Sequence, residues 1–528
     1  MSLLPHAPAQ KKWMLIKLGH TSKPRKVTWY DPCEPSALDT TVRATFGIAP
    51  SQPFLLLDDT MSVVALSASL PSGGTFELVV QAQPPCLEDE RPAAIAIIDP
   101  ISTGAVLAKR VHDLGYAVVR VWSDVVPEDL RSFVDPRAAF EFIATVQHNT
   151  DSIGATCAQL KALDIDLREV MVGCETGVLL GDALSEGLGL RGNGTAKSSL
   201  RRNKFLQTEA LRQSGLNACG QRLADSAADV EAFLMVLMEN VTEKPVTVPF
   251  KAVVKPVEGA GSDGVFICNS EDEVRKAYAS LEGTKNVLGL TNYSVLLQEY
   301  LRGDEYVVDT VSRSGVHKCV AIWKYDKRMC NGSPVVYFGV RLMPIDSEPG
   351  LRAMVEYVFG VLEALGIRNG AVHSEVKTVE RGPVLIEANC RLHGGEGTWA
   401  PMAETCTGGY SQISAMIDSY IDPAAFAALP YVPSNFVAHC TEANMQSFVA
   451  GTLVEIDPEA LKKIRSLSSY TNEFLDVTEG KRIEKTIDLL TSCGNFNLIN
   501  ESKLQLDADY AEFHRIVHNG GHGIFRVE

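Results

Sequence analysis

The sequence predicts a protein of the α/β (α+β) class with several domains. Three observations support this: a strand–turn–helix–strand pattern after residue 90, a glycine-rich connection between two strands near residue 260, and a hairpin near residue 380. The chain has 528 residues, which is enough for several domains and a sizeable core. Its hydrophobic content of 45% is ordinary for a globular protein, so no unusual class is indicated.

Charge and cysteine content exclude several functional classes. The formal net charge of −16 argues against a protein that binds the phosphate backbone of nucleic acids. The 12 cysteines are scattered and form no CxxC pair, so a zinc ribbon or a disulfide framework is not expected. The N-terminus lacks the apolar core of a signal peptide, and no apolar run is long enough to span a membrane. We therefore expect a cytoplasmic protein with reduced thiols and no membrane or nucleic-acid partner.

Residues 1–85 are predicted to form a small β-rich module. Five short runs have strand character, and there is room for one helix near Ser36–Phe46. The pattern resembles a ubiquitin-like or PB1-like β-grasp module, and that resemblance implies contact with a protein partner. The alternative is an N-terminal extension that packs on the rest of the chain. Pro84–Ala93 is typical of a linker.

A parallel sheet is predicted to begin at Ala93. Ala93–Asp99 is a buried strand, and after a turn come an amphipathic helix ending at Gly115 and a second buried strand, which together make a βαβ unit. The turn at Ser102–Gly104 opens the helix N-terminus, where either an anion or plain capping would satisfy the backbone. Glu175 follows the end of another strand, where ligands collect in open α/β sheets.

The segment Gly192–Ser199 has the composition of a phosphate-binding loop but not its pattern. A P-loop requires glycine immediately before Lys-Ser, whereas Ala196 precedes Lys197 here, and no buried strand leads into the segment. We therefore reject a P-loop. The next stretch, Arg201–Leu216, predicts a helix that ends at Gly215 and carries Lys204.

A glycine-rich flap is predicted within Lys251–Cys268. Its glycines have GxGxxG spacing, but a dinucleotide fingerprint needs a helix straight afterwards, and Val265–Ile267 is a strand instead. A glycine loop between two strands can close over phosphates with backbone N–H groups as donors. Lys255, on the entering strand, could reach a phosphate as a point charge. A plain glycine-rich hairpin tip is the alternative, and the HRD and DFG motifs of protein kinases are missing.

Ser294–Val311 predicts a strand, a short bend and a second strand. Such a bend can offer backbone groups to an adenine edge, and Glu305 beyond it could bind ribose hydroxyls. Ala321–Arg328 predicts a strand entering a polar loop, and Leu351–Gly366 predicts a helix.

The hairpin near residue 380 carries the strongest chemical signal. Its turn at Glu380–Pro383 brings Glu375 opposite Glu387, and the period of two puts Glu387, Asn389 and Arg391 on one face. Two carboxylates and an amide oxygen suit a hard cation such as Mg²⁺. Arg391 could grip a phosphate with two hydrogen bonds. The alternative is a polar cross-strand face without a ligand.

Taken in order, Lys204, Lys255, the glycine flap, QEYLRGDEY and Glu375 with E-x-N-x-R resemble the ATP-grasp superfamily. The resemblance covers about residues 90–430, and the arginine followed by two glycines is most similar to the branch of L-amino-acid ligases and carnosine synthases. It implies a Rossmann-like domain at 90–195, an ATP-grasp domain at 196–430 and a C-terminal β-rich subdomain at 431–528 that completes the ligase.

The resemblance also implies a role for each matching residue. Lys204 and Lys255 match the lysines that hold ATP phosphates, Glu305 matches the acid that binds ribose, and Arg391 matches the arginine that stabilises the transferred phosphoryl group. His393 is inserted before the glycine pair, so substrate contact and a structural role both stay open for it. The other implied contacts are Gly259, Gly261, Ser262, Gly264, Glu299, Tyr300 and Leu301 for ATP, Glu375, Glu387 and Asn389 for Mg²⁺ or Mn²⁺, and Gly394 and Gly395 for substrate.

The implied reaction is ATP-dependent amide formation between a small-molecule carboxylate and an amine, with amino acids as the expected substrates. The carboxylate attacks ATP to form an acyl phosphate, and the amine then displaces phosphate, so ADP and phosphate are released. The resemblance also implies a homodimer. One alternative is a biotin-using carboxylase, although no MKM carrier motif is present; another is a non-catalytic ATP-binding scaffold. No residue stands out in the sequence as the base that deprotonates the amine.

Overall fold

The structure is a computed structural model that divides into two compact units, 1–90 and 91–528, described separately below. It describes residues 10–18, 23–31, 35–48, 54–58, 63–64, 66, 70, 72–80, 91–126, 128–131, 140–149, 152–242, 250–259, 264–286, 289–434, 436–489 and 491–528. No helix in these ranges is long and apolar enough to cross a membrane.

In its described residues, the first unit contains a five-stranded mixed sheet and one helix. The strand order is β2-β1-β5-β3-β4, with β1 and β5 parallel at the centre. Alternate residues of β1, Met14 and Ile16, are fully buried against Leu38 of the helix. The β-grasp interpretation and the protein contact stay predictions. The elements are β1 (Gln10–Leu18), β2 (Arg25–Asp31), α1 (Pro35–Phe46), β3 (Phe54–Leu57), β4 (Val63–Val64) and β5 (Thr75–Val80).

The second unit begins with the predicted parallel sheet. Its strand order is β8-β7-β6-β9, and every pairing is parallel. The inner strand β6 is apolar throughout because both of its faces are covered. Glu175 lies in a short 3₁₀ turn just after the last strand, as predicted. The elements are β6 (Ala93–Ile98), α2 (Thr103–Asp113), β7 (Ala117–Trp122), α3 (Glu128–Arg131), β8 (Ala144–Gln147), α4 (Ile153–Lys161), β9 (Asp166–Val172) and α5 (Val178–Leu188).

A small four-stranded sheet of order β10-β13-β11-β12 follows. The helix before it begins at Lys204 and not at Arg201 as predicted, because the Asn203 side chain caps it by accepting a hydrogen bond from the Leu206 backbone N–H. Strands β11 and β12 pair antiparallel, as expected for the flap. The elements are α6 (Lys204–Gln213), β10 (Gln221–Ala224), α7 (Ala227–Thr242), β11 (Ala252–Pro256), β12 (Phe266–Cys268), α8 (Glu271–Leu281) and β13 (Val295–Glu299).

An eight-stranded antiparallel sheet forms the centre of the second unit. Its order is β18-β17-β14-β15-β16-β19-β23-β21, so strands after residue 431 continue the sheet of the preceding segment. Strands β20, β22 and β24 form a separate three-stranded sheet. The strands are β14 (Glu305–Arg313), β15 (Val316–Cys330), β16 (Ser333–Leu342), β17 (Gly370–Val379), β18 (Gly382–Asn389), β19 (His439–Asn444), β20 (Gly451–Ile456), β21 (Tyr470–Leu475), β22 (Arg482–Ile483), β23 (Gly494–Asn500) and β24 (Phe525–Val527).

Both faces of this large sheet are covered by apolar side chains. On β14, Val307 and Val311 pack into one core with the buried Trp323, whereas Tyr306 and Val308 pack into another core with the helix α9. The sheet is therefore packed on both faces and supports the side chains at the ends of its strands. The helices are α9 (Leu351–Ala364), α10 (Trp399–Thr407), α11 (Gln412–Ile421), α12 (Pro423–Ala428), α13 (Pro458–Arg465) and α14 (Lys503–His518).

The prediction of a polar loop within Ala321–Arg328 is wrong. Strand β15 continues to Cys330: it pairs with β14 as far as Lys324 and with β16 from Trp323 to Cys330. The polar run reflects the surroundings of the strand, because Tyr325 and Lys327 line a cavity. Polarity of a strand face was mistaken for the polarity of a loop.

Candidate active site

A cavity of about 270 Å³ lies in the second unit, between the flap strands and the large sheet. It brings together predicted residues from five separate segments of the chain. Gly264 does not line the cavity. Its φ is +67°, and a Cβ at this position would contact Leu281 and Pro256, so glycine is needed here for packing. Gly261 and Ser262 lie outside the described residues. The predicted residues in the wall are Lys204, Lys255, Gly259, Glu299, Tyr300, Leu301, Glu305, Glu375, Glu387, Asn389, Arg391, His393, Gly394 and Gly395.

The two predicted metal-binding carboxylates face each other across the hairpin. Glu375 on β17 is the register partner of Glu387 on β18, which confirms the predicted pairing. Asn389 Nδ2 donates to Glu387 Oε1 at 3.0 Å. Burial raises the pKa of Glu387, but Lys204 and Lys255 outweigh this effect and hold the pKa at about 2. Glu387 is therefore ionised at neutral pH.

Two lysines from different elements act on this carboxylate: Lys204 forms an ion pair with it, and the charge of Lys255 lowers its pKa. Lys204, the first residue of α6, places Nζ 2.9 Å from Glu387 Oε2 and 3.2 Å from the Gly259 carbonyl oxygen. Lys255 on β11 is only 5% exposed, and its burial lowers the pKa of the ammonium group. Two cations beside two carboxylates at a glycine-rich flap can hold a polyphosphate together with a divalent cation.

Arg391 is held in place by an acid from the parallel sheet. Its Nε lies 3.2 Å from Glu175 Oε2, and its Nη1 donates to the Leu392 carbonyl oxygen at 2.8 Å. Glu175 also forms a buried ion pair with Arg202. Glu175 itself does not line the cavity. Its position after the end of a strand lets its carboxylate contact Arg391 and orient the guanidinium.

The glycine turn beyond Arg391 is held by hydrogen bonds from the turn that opens the first helix of the parallel sheet, at Ser102–Gly104. Thr103 Oγ1 donates to the His393 carbonyl oxygen at 2.7 Å, and Ser102 Oγ accepts a hydrogen bond from the Glu396 backbone N–H at 3.1 Å. In this structure the helix-opening turn at Ser102–Gly104 therefore packs against the chain itself.

A buried carboxylate that the sequence analysis missed organises the histidines. Asp309 on β14 is fully buried and hydrogen-bonds to His373 Nδ1 and His393 Nδ1, both at 2.9 Å, and to Trp323 Nε1 at 2.8 Å. Burial raises the pKa of Asp309, but the two histidines more than offset this and hold it well below its usual range. His373 Nε2 lies 3.6 Å from Glu375 Oε1, so the network extends to the carboxylate pair.

His393 belongs to this network and also lines the cavity, so both substrate contact and a structural role stay predictions for it. Its ring also stacks on Trp399 with 5.1 Å between centroids. A signal for the other two members was present in the sequence. Asp309 follows Glu305 by four residues, and His373 precedes Glu375 by two, so each shares a strand face with a predicted site residue.

The opposite end of the cavity combines basic and aromatic groups. Glu299 accepts a hydrogen bond from the Gly220 backbone N–H at 2.8 Å, which anchors the predicted bend. Glu305 is paired with Lys327 and lies 3.6 Å from Lys377 Nζ. Lys377 Nζ also lies 5.1 Å from the centre of the Tyr300 ring. Lys327 was missed because its strand was predicted to be a loop.

The chain is similar to proteins of one known family. An ATP-grasp domain is recognised at residues 248–399. Dapdiamide A synthase of Enterobacter agglomerans is 30% identical over 420 residues, which cover 79% of this chain and 94% of that protein.

Solved structures share the fold at low sequence identity. An L-amino acid ligase from Bacillus licheniformis superposes with a TM-score of 0.62 at 18% identity, over 83% of this chain and all of that one. An N5-carboxyaminoimidazole synthetase from Staphylococcus aureus, complexed with ADP, superposes with a TM-score of 0.54 at 15% identity, over 80% of this chain and 98% of that one. Because dapdiamide A synthase is 30% identical and is covered over 94% of its length, the chain belongs to the ATP-grasp family of carboxylate–amine ligases. These enzymes use ATP to form amide bonds.

Proposed function

We propose that this enzyme joins two amino acids, or closely related small molecules, through an acyl-phosphate intermediate, with release of ADP and phosphate. The observation that carries the proposal is the opposed pair Glu375 and Glu387 in one cavity with Lys204, Lys255 and Arg391. That set has the charges needed to bind a triphosphate and to stabilise phosphoryl transfer to a carboxylate. The structural similarity to an L-amino acid ligase supports amino-acid-like substrates.

ATP is assigned to the part of the cavity that runs from the bend to the hairpin. Lys204, Lys255 and the flap at Gly259 would hold the phosphates. The backbone of Glu299–Leu301 would meet adenine, and Glu305 would bind ribose. The pairing of Glu305 with Lys327 supports this assignment, because a carboxylate ordered by a lysine is held in one orientation as a hydrogen-bond acceptor.

The donor set fits Mg²⁺, with Mn²⁺ as an alternative. Glu375 and Glu387 offer carboxylate oxygens in register, and Asn389 lies beside them. These three residues would hold the ion, which supplies charge neutralisation for the phosphates when bound. Burial raises the pKa of Glu375, yet His373 and Lys327 keep it below its usual range, so the site is anionic at neutral pH.

Arg391 has the central role in the chemical step. The substrate carboxylate attacks the γ-phosphorus, the bond to the ADP oxygen breaks, and negative charge spreads over the transferred phosphoryl group. Glu175 and the Leu392 carbonyl oxygen hold the guanidinium at the cavity wall, so it is oriented before the reaction begins.

The nucleotide products test the proposal directly. The enzyme is incubated with ATP, Mg²⁺ and pairs of standard amino acids, and the nucleotides are separated by chromatography. ADP and phosphate that appear only with particular pairs would support the acyl-phosphate route and identify the substrates. AMP and pyrophosphate would indicate adenylation and would overturn that route.

Glu387→Gln is expected to weaken the Mg²⁺ dependence of ATP turnover. The amide keeps the size of the side chain but removes the charge that attracts the cation, so the Mg²⁺ titration should shift to higher concentration. The matched control is Glu363→Gln, at an exposed glutamate outside the cavity. An unchanged titration for Glu387→Gln would remove this residue from the set of metal ligands.

Three further assignments belong to this proposal. The cysteines of the described segments are all free, which supports a reducing, cytoplasmic location. The family resemblance supports a homodimer. The β-rich first unit is proposed to bind a protein partner.

A further inference from the structure

We propose that Glu442 receives the ammonium group of the amine substrate and accepts its proton before the amide bond forms. This inference rests on the proposed ligase function and supplies the base that the reaction needs. Glu442 lies on β19, far along the chain from the flap, the bend and the hairpin. It nevertheless lines the same cavity.

The position of Glu442 is fixed at the end of the cavity formed by the glycine turn. Thr398 Oγ1 lies 2.9 Å from Glu442 Oε2 and 2.9 Å from the Gly395 carbonyl oxygen. One threonine therefore links this carboxylate to the turn that follows Arg391. On the sheet, Glu442 is the register partner of Val340 and Asn497, neither of which is charged. The carboxylate is thus close to the segment assigned to substrate.

Glu442 differs from the other acids of the cavity in lacking a cationic partner. Glu387 is paired with Lys204, Glu305 with Lys327, and Glu299 with Arg381. Glu375 lies 3.6 Å from a histidine nitrogen. Among the described residues, no lysine, arginine or histidine lies within 4 Å of the Glu442 carboxylate. An ammonium group entering the cavity would supply the missing charge.

The surroundings also suit Glu442 to proton transfer. Burial raises the pKa of Glu442 to about 7, and the negative charge of Asp476 acts in the same direction, against the hydrogen bond from Thr398. A carboxylate with a pKa near the working pH is an efficient general base. Acids with lysine partners, such as Glu387 with its pKa of about 2, are poor proton acceptors.

Amide formation removes two protons from the substrate ammonium group. One N–H bond of the substrate ammonium breaks, and the proton moves to a Glu442 carboxylate oxygen. The nitrogen lone pair then attacks the carbonyl carbon of the acyl phosphate, and the C–O bond to phosphate breaks. The second proton leaves the nitrogen with the departing phosphate, and Glu442 releases its own proton to solvent.

Hydroxylamine separates this step from carboxylate activation. It is uncharged near neutral pH and needs no base, so it traps an acyl phosphate as a hydroxamate. Wild-type enzyme is given ATP, Mg²⁺ and each standard amino acid with either hydroxylamine or a second standard amino acid. Hydroxamate is measured by its iron complex and dipeptide by mass spectrometry. Formation of neither product by wild type would overturn the proposed function and this inference together.

Glu442→Gln should keep hydroxamate formation within about threefold of wild type and lower dipeptide formation by about 10²-fold or more, the scale for removing a general base. Glu442→Asp should retain an intermediate rate. The control Glu459→Gln, at an exposed glutamate on α13, should change neither product.

Three results would overturn the role of Glu442 while leaving the ligase function intact. One is a rate of dipeptide formation by Glu442→Gln equal to that of wild type. This includes the case in which Glu442→Gln keeps that rate and His393→Asn loses it. The second is an equal loss of hydroxamate and dipeptide in Glu442→Gln at an unchanged melting temperature, which would place the residue in carboxylate activation. The third is a lowered melting temperature of Glu442→Gln together with an equal loss of hydroxamate and dipeptide in both Glu442→Gln and Glu442→Asp. This result would show that Glu442 has a structural role.

Discussion

Replacing Arg391 with alanine is expected to lower turnover by about 10²–10³-fold, the scale for removing one donor that stabilises a transition state. The guanidinium lines the cavity beside the glycine turn and is oriented by Glu175. Its loss would leave the charge on the transferred phosphoryl group without this partner, whereas ATP would still be bound by the lysines. The effect should therefore appear in kcat more than in the KM for ATP, measured by release of ADP.

Two variants sharpen this test. Arg391→Lys keeps the positive charge but loses the planar fork, so its turnover should lie between those of wild type and Arg391→Ala. Arg352→Ala removes an exposed arginine whose partner is the exposed Asp346, and its turnover should match wild type. Near-normal turnover of Arg391→Ala would contradict a role in phosphoryl transfer.

Asp309→Ala is expected to lower the free energy of unfolding by about 3–5 kcal/mol, the scale for removing one member of a buried ion pair. Asp309 is fully buried and bonds to two histidines and a tryptophan, so its removal leaves three buried polar groups without this acceptor. The measurement is urea unfolding followed by tryptophan fluorescence, to which the buried Trp323 should contribute. Turnover should fall as well, because His373 would lose its contact beside Glu375.

Asp309→Asn is the informative companion to this variant. It keeps the size and one acceptor, so its loss of stability should be smaller than that of Asp309→Ala. Asp346→Ala, at the exposed ion pair with Arg352, should change stability by less than about 0.5 kcal/mol. Equal stability of Asp309→Ala and wild type would mean that the buried network does not support the fold.

Local patterns were the part of the structure that the sequence could predict. The register of Glu375 with Glu387 followed from a short turn and a period of two, which depend only on neighbouring residues. The strands of the flap and the βαβ unit were predictable for the same reason. The order of the lysines, the flap and the hairpin was sufficient to suggest the family that the comparison with a relative then showed.

Contacts between distant segments were decided by the tertiary structure alone. Asp309 meets His393 across 84 positions of the chain, and Arg391 meets Glu175 across a longer separation, so neither pairing leaves a periodic trace in the sequence. The same holds for Glu442, a single acid in an otherwise ordinary strand, whose distinction is the lack of a cationic partner in the described part of the cavity. By itself, the sequence determined which residues share a strand face, because side-chain direction follows backbone geometry. Only the packing of the sheets decided which of those faces meet, because burial and charge pairing arise between elements that the chain brings together from afar.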